Sequence, residues 1–196
     1  MKHFSELTPS AERIVDAAEN LIKAVGYNGF SYEGISQAVG IRKPSVHHHF
    51  PSKTELGAVV AQRYTHRFKE ALLRIDGVFA KPNERLVAFA KLFEATYAND
   101  RNLCVCGMLG AENDSLPNEV VIEVRKFFQV TLDWLVGVIS EAQSKGAFSA
   151  NISPKIWAIT FLSAMEGAML VGRSLQAQEG PEMVADALIE SMTNND

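Results

Sequence analysis

Between Arg42 and Lys53 the chain concentrates groups that donate hydrogen bonds: Arg42, Lys43, Ser45, His47, His48, His49 and Lys53. Such donors suit a surface whose phosphates and base edges are acceptors. The charge balance agrees. The first 68 residues hold eight Lys/Arg against six Asp/Glu, a net +2, and all five histidines; the remainder holds eleven against seventeen, a net −6. No acidic residue falls between Glu33 and Glu55. The chain's overall charge of −4 therefore conceals a small head that a polyanion could approach and an acidic body that would repel one.

Other chemistries fit less well. Successive residues on a helix are about 100° apart, so His47, His48 and His49 fan outward and cannot converge on one ion. No nearby Cys, Asp or Glu completes a zinc set, and no metal is expected. The chain has no G-x-S-x-G elbow, glycine-rich phosphate loop or H-E-x-x-H, so neither catalysis nor a cofactor is expected. The two cysteines, Cys104 and Cys106, cannot build a disulfide framework, which fits a reducing cytoplasm. The first residues show no secretory signal, and no apolar run approaches the roughly 18 uncharged residues of a membrane span.

The elements that must position the donors read as helices almost throughout. Thr8 caps a first helix with Pro9 at its start, and Ile14, Ala17, Ala18, Leu21, Ile22 and Val25 form one apolar stripe ending at Gly26. Ser31 caps a second helix through Val39, Gly40 turns the chain, Arg42–Phe50 is a third helix, and Ser52 caps a fourth through Phe68. Later breaks at Pro82, Pro117, Gly146, Pro154 and Gly180-Pro181 separate helices of 84–98, 103–111, 118–144, 154–176 and 182–192. The expected fold is all-α, of eight to ten helices.

Helix, glycine turn and short helix from Ser31 to Phe50 make a helix-turn-helix, with Val46 and Phe50 turned inward against Ile35 and Ala38, and Ile41 buried between the helices. From about Ala11 to Leu56 the chain resembles the TetR family of regulators: Gly26-Tyr27, the Ser31 cap, Ile35, Ala38, Gly40-Ile41, His49-Phe50, Lys53 and Leu56 fall at that family's spacing. Arg42 stands where the family usually has Ser or Thr, and His47 where it has Tyr, which bears on the target sequence more than on DNA binding. The resemblance implies an N-terminal three-helix DNA-binding domain, 1–53, and a larger helical effector-binding and dimerisation domain, 54–196. Ser31 and Lys53, at helix N-termini, would then contact phosphate, with Arg42 adding charge nearby. Lys43 and Ser45 would reach base edges, and Pro44 a thymine methyl. Tyr32 and Glu33 would meet the backbone or a cytosine amino group, and His47 and His48 would donate to DNA.

In the body, Ala164, Gly167, Ala168, Val171 and Gly172 form a small-residue stripe that, with Val184 and Leu188, would suit a four-helix homodimer interface. Phe93, Tyr97, Cys104, Met108, Phe127, Phe128, Trp134, Phe161 and Met165 would line a pocket for an apolar or aromatic effector. Cys104 precedes Gly107 in a Cys-x-x-Gly setting resembling that of electrophile-responsive regulators of the family, and Arg101, if close, would activate its thiol. The expected function is a ligand-responsive regulator, most often a repressor in such a family, that binds a palindromic DNA operator as a homodimer in the cytoplasm. Release would come from a small effector or cysteine modification. The alternative is a non-catalytic helical protein-interaction module.

Overall fold

The computed structural model describes residues 3–193. Among them the α-helices are α1 Pro9–Gly29, α2 Tyr32–Val39, α3 Lys43–His49, α4 Lys53–Val78, α5 Pro82–Tyr97, α6 Val105–Ala111, α7 Asn118–Ser144, α8 Pro154–Leu175 and α9 Pro181–Met192. The described residues contain no strand, only one isolated bridge between Phe148 and Thr193. The predicted breaks hold: prolines occupy the first turns of α1, α3, α5, α8 and α9, where an absent N–H leaves no bond unmade.

The chain packs as two compact units. The first comprises residues up to Phe68 together with Val105–Phe128; the second comprises Lys69–Cys104 with the residues after Phe128. By contact, the unit that holds the helix-turn-helix thus extends well past residue 53.

In the first unit α1 buries Ile14, Ala18 and Ile22 of the expected stripe, with Val15 beside them, in the core that holds Ile35, Val46, Phe50, Leu56, Val59 and Val60, whereas Ala17 and Leu21 are half-buried and Val25 is exposed. An ion cluster adds direction to this apolar packing. The buried Glu19 carboxylate of α1 meets Lys23 at 2.8 Å, Arg63 at 3.1 Å, and Arg67, while Arg63 also meets Asp16 at 2.7 Å. Burial pushes the Glu19 pKa up, but Lys23, Arg67 and Arg63 together hold it below 4.5. One expectation for α1 fails. Gly26 does not end the helix but breaks it, with φ 76° and ψ −179°, and helical residues resume to Gly29.

In the second unit α5, α8 and α9 pack on one another. Leu86, Phe89, Ala90 and Phe93 of α5 face Phe161, Met165 and Met169 of α8 and Ala185 of α9 in a shared core. The Glu94 carboxylate of α5 accepts the Glu182 N–H at 3.2 Å and so satisfies the start of α9. Asp100 and Arg101 have left-handed φ of 56° and 52°, and Gln176 has 54° at the end of α8. The Arg101 guanidinium joins these places by donating to the Ala177 and Gln176 carbonyls at 3.2 and 3.3 Å. α8 is long and apolar enough to cross a membrane by length and composition, although no such span was expected. One face of it is packed through Phe161, Met165 and Met169, and Glu166 stands at its mid-length.

The Glu19 cluster yields a check. Glu19→Gln is expected to cost roughly 2–4 kcal/mol in thermal or denaturant unfolding at pH 7, because three cations lose their acceptor. With a depressed folded pKa, the contribution is present above pH 4.5 and is lost as pH falls through the folded value, so wild type and variant should converge in acid.

Candidate nucleic-acid interface

α3 is seven residues long, far below the length at which a helix holds itself in water. Three features fix it. Val46 and Phe50 are fully buried. The Gly40 turn, at φ 73° and ψ 36°, lets the N–H groups of Gly40 and Ile41 both reach the Ser36 carbonyl, at 2.9 and 3.1 Å. The Tyr32 hydroxyl donates to the Phe50 carbonyl at 2.8 Å, tying the start of α2 to the end of α3. Burial, with the Glu55 and Tyr27 charges, raises the Tyr32 pKa, so the hydroxyl remains a donor.

This bracing leaves Arg42, Lys43, Pro44, Ser45, His47 and His48 exposed on one short segment, with Ser31 and Glu33 exposed at the start of α2. Ser31 Oγ accepts the Gly34 N–H at 3.1 Å, which leaves its O–H as a donor. The Tyr32 ring meets His47 edge-on at 4.5 Å and limits how that imidazole can turn. Arg42 sits at the N-cap without capping through its side chain, as a guanidinium with no acceptor must.

Two expected contacts fall elsewhere. Tyr32 is buried and its hydroxyl is spent on Phe50, so it is a brace rather than a DNA contact. Lys53 donates its ammonium to the Phe30 carbonyl at 2.7 Å and lies over the Tyr27 and Phe30 rings, 4.7 and 4.4 Å from their centroids. Burial depresses its pKa. At Lys53 only the backbone at the start of α4 remains for phosphate. Ala38, expected inside, is exposed, and Ser36 takes the buried place, with its hydroxyl donating to the Glu33 carbonyl at 2.9 Å; Ile41 is half-buried.

The predicted pocket residues separate. Phe127 and Phe128 belong to the first unit, where Phe127 packs on Tyr64 and Phe68 at 5.5 and 5.0 Å; Met108 is also in that unit. In the second unit Phe89, not foreseen, is the centre: Trp134 stacks on it at 5.5 Å, and Phe93 and Phe161 lie 5.2 and 6.0 Å away. Trp134 also donates Nε1 to Asp76 at 2.9 Å. Tyr97 is buried beside a cleft of about 260 Å³ lined by Glu94, Tyr97, Ala98, Asp100, Arg101, Ala177 and Gln178, and its hydroxyl donates to the Ala177 carbonyl at 2.8 Å. Gly172 was expected to admit a partner's helix, but it faces its own subunit: a Cβ there would lie 2.5 Å from the Tyr97 oxygen. Ala164, Gly167, Ala168, Val184 and Leu188 are half-buried, and Val171 is exposed.

Glu166 escaped the sequence reading, although it is the one acidic residue of the largely apolar α8. Its Oε1 is sealed from solvent without a hydrogen-bond partner among the described residues, even though its stem is part-exposed. Burial raises its pKa to about 7 against a hydrogen bond from the Cys104 thiol, which is itself buried. The Arg101 guanidinium is engaged with the carbonyls after α8.

The family model for bacterial regulatory proteins of the tetR family matches residues 14–59, and that for the tetracyclin repressor-like C-terminal domain matches 82–188. The chain belongs to the TetR family. A TetR-family regulator from Agrobacterium tumefaciens is 33% identical over 94% of this chain and 98% of its own, with a TM-score of 0.85. A TetR regulator from Legionella pneumophila is 29% identical over 96% and 100%, with a TM-score of 0.86. The structure of AibR with isovaleryl coenzyme A and operator DNA shares the fold at 22% identity, 93% and 97% coverage and a TM-score of 0.71. A search of curated proteins finds no match. This TetR-family chain is a transcriptional regulator and not an enzyme.

Two tests follow. Arg42→Ala should lower the slope of log affinity against log salt by about one, whereas Lys53→Gln should leave the slope and lower the melting temperature. For Glu166, only the folded chain keeps its proton between pH 4.5 and about 7, so its contribution to stability declines as pH rises through that interval. Glu166→Gln should remove that decline and melt above wild type at pH 8, by at most about 3 kcal/mol.

Proposed function

We propose that the protein is a ligand-responsive repressor that binds a palindromic operator as a homodimer in the cytoplasm. The carrying observation is the exposed row Arg42, Lys43, Pro44, Ser45, His47 and His48 on a helix anchored by Val46 and Phe50. Lys43 and Ser45 supply base-edge donors, Pro44 an apolar contact, and Arg42, Ser31 and the histidines phosphate or base contacts. Glu33, at the α2 start, suits a cytosine amino group.

The dimer is supported by α8. Ile156, Ile159, Leu170 and Val171 are 42–58% exposed and recur at helical spacing on the face opposite Phe161, Met165 and Met169, and Met183 of α9 is exposed as well. The half-buried Ala164, Gly167, Ala168, Val184 and Leu188 adjoin this surface in the sequence, and none carries a charge into it. Two such subunits would place their α3 helices in successive major grooves, roughly 34–36 Å apart.

The effector is a small apolar or aromatic molecule, a reading supported by the aromatic group around Phe89 in the second unit. AibR and the FadR of Bacillus subtilis were solved with isovaleryl coenzyme A and stearoyl-CoA respectively. Thiol modification is the weaker route to release. Cys104 and Cys106 are both buried, and the carboxyl beside Cys104 opposes a thiolate.

Leu170→Glu tests the dimer and the operator together. Sedimentation should show the wild type as a dimer and the variant as a monomer, and the variant's affinity for a selected palindrome should fall at least tenfold while its helicity is kept. A monomeric wild type, or one that binds all duplexes alike, would refute the reading.

A further inference from the structure

Within the first unit, one carboxylate makes contacts that DNA recognition by α3 does not account for. Glu112 follows directly on α6, and its Oε2 accepts the Tyr27 N–H at 2.6 Å. Both carboxylate oxygens lie 3.3 Å from the Asn28 nitrogen. Asn28 Nδ2 donates to Ser115 Oγ at 2.9 Å, and that hydroxyl donates to the Glu112 carbonyl at 2.9 Å. A span of 84 or 85 residues is thus closed on two consecutive amides.

Those amides need an acceptor because α1 is broken immediately before them. With Gly26 at φ 76° and ψ −179°, the short helical stretch that follows begins with N–H groups turned away from the upstream carbonyls. A carboxylate is the acceptor such a start favours. Gly26 is required twice over: its φ suits glycine, and a Cβ there would lie 2.8 Å from Glu112 Oε1. The stretch ends at Phe30, whose carbonyl holds Lys53, and Ser31 then caps α2. The Glu112 charge also acts on Lys53, favouring its ammonium form. The grip therefore closes on the joint from which the helix-turn-helix departs.

We infer that Glu112 is a positioning residue for operator recognition: its carboxylate latches the α1 break to the end of α6 and so sets the direction in which α2 and α3 leave α1. The inference rests on the dimeric, operator-binding reading above. Two half-sites are read together only when each head is held in a fixed direction, whereas one half-site makes no such demand. Loosening the latch leaves the α3 contacts intact and spoils their registration.

The test uses the full-length protein and the palindrome that wild type selects from a randomised duplex pool, with one half of that palindrome as a second probe. Fluorescence anisotropy should show Glu112→Gln binding the palindrome roughly tenfold more weakly and the half-site about as well as wild type. Amide exchange at Tyr27 and Asn28 should quicken. Gly26→Ala, which crowds the same oxygen, should act alike, and the double variant should add little. Should Glu112→Gln fail to fold, Glu112→Asp, which keeps the charge but withdraws it by one methylene, reads the same ratio. Equal losses on both probes, or none on either, would overturn the latch and leave Glu112 a stabilising residue only. A wild type that selects no palindrome would instead bring down the operator reading, and the latch with it.

Discussion

A helix of seven residues cannot persist alone, so the reading surface of this protein exists only because Val46, Phe50 and the Tyr32 hydroxyl hold α3 from behind. Every outward-facing donor from Arg42 to His48 depends on that support. The division of labour is strict. Apolar side chains and one buried phenol take the inner face, and the groups able to meet a polyanion take the outer. The same economy explains Lys53, whose cation serves the Phe30 carbonyl and two aromatic rings rather than DNA.

Carboxylates are used with equal restraint. Glu94 and Glu112 each satisfy backbone N–H groups at the start of a helical segment remote in sequence, and Glu19 gathers three cations. Glu166 stands apart. One of its oxygens is sealed without a hydrogen-bond partner among the described residues, and burial raises its pKa to about 7.

Much of this was legible in the sequence because it is written in local signals. Prolines, glycines and Ser or Thr caps marked the limits of the later helices to within two residues, as at 118–144, and the family's spacing from Gly26 to Leu56 identified the helix-turn-helix; α4, with no such break after Phe68, runs on to Val78. What escaped depends on partners distant in the chain. Nothing near Tyr32 announces that its hydroxyl meets Phe50, and nothing near Lys53 announces Phe30. Gly26 reads as a stop until Glu112, 86 residues on, is seen to grip the amides beyond it. Gly172 looked like room for a neighbouring subunit because small residues say only that something comes close; here that something is Tyr97. The aromatic residues were recognised, but composition cannot say which of two units each joins.

The left-handed backbone at Asp100, Arg101 and Gln176 carries a last consequence. Side-chain-bearing residues hold that conformation at some cost, and the two stretches are tied together by the Arg101 guanidinium. The Tyr97 hydroxyl also donates to the Ala177 carbonyl, so the connection after α5 and the end of α8 are held to each other by two side chains, and relaxing either stretch would disturb the hold on the other.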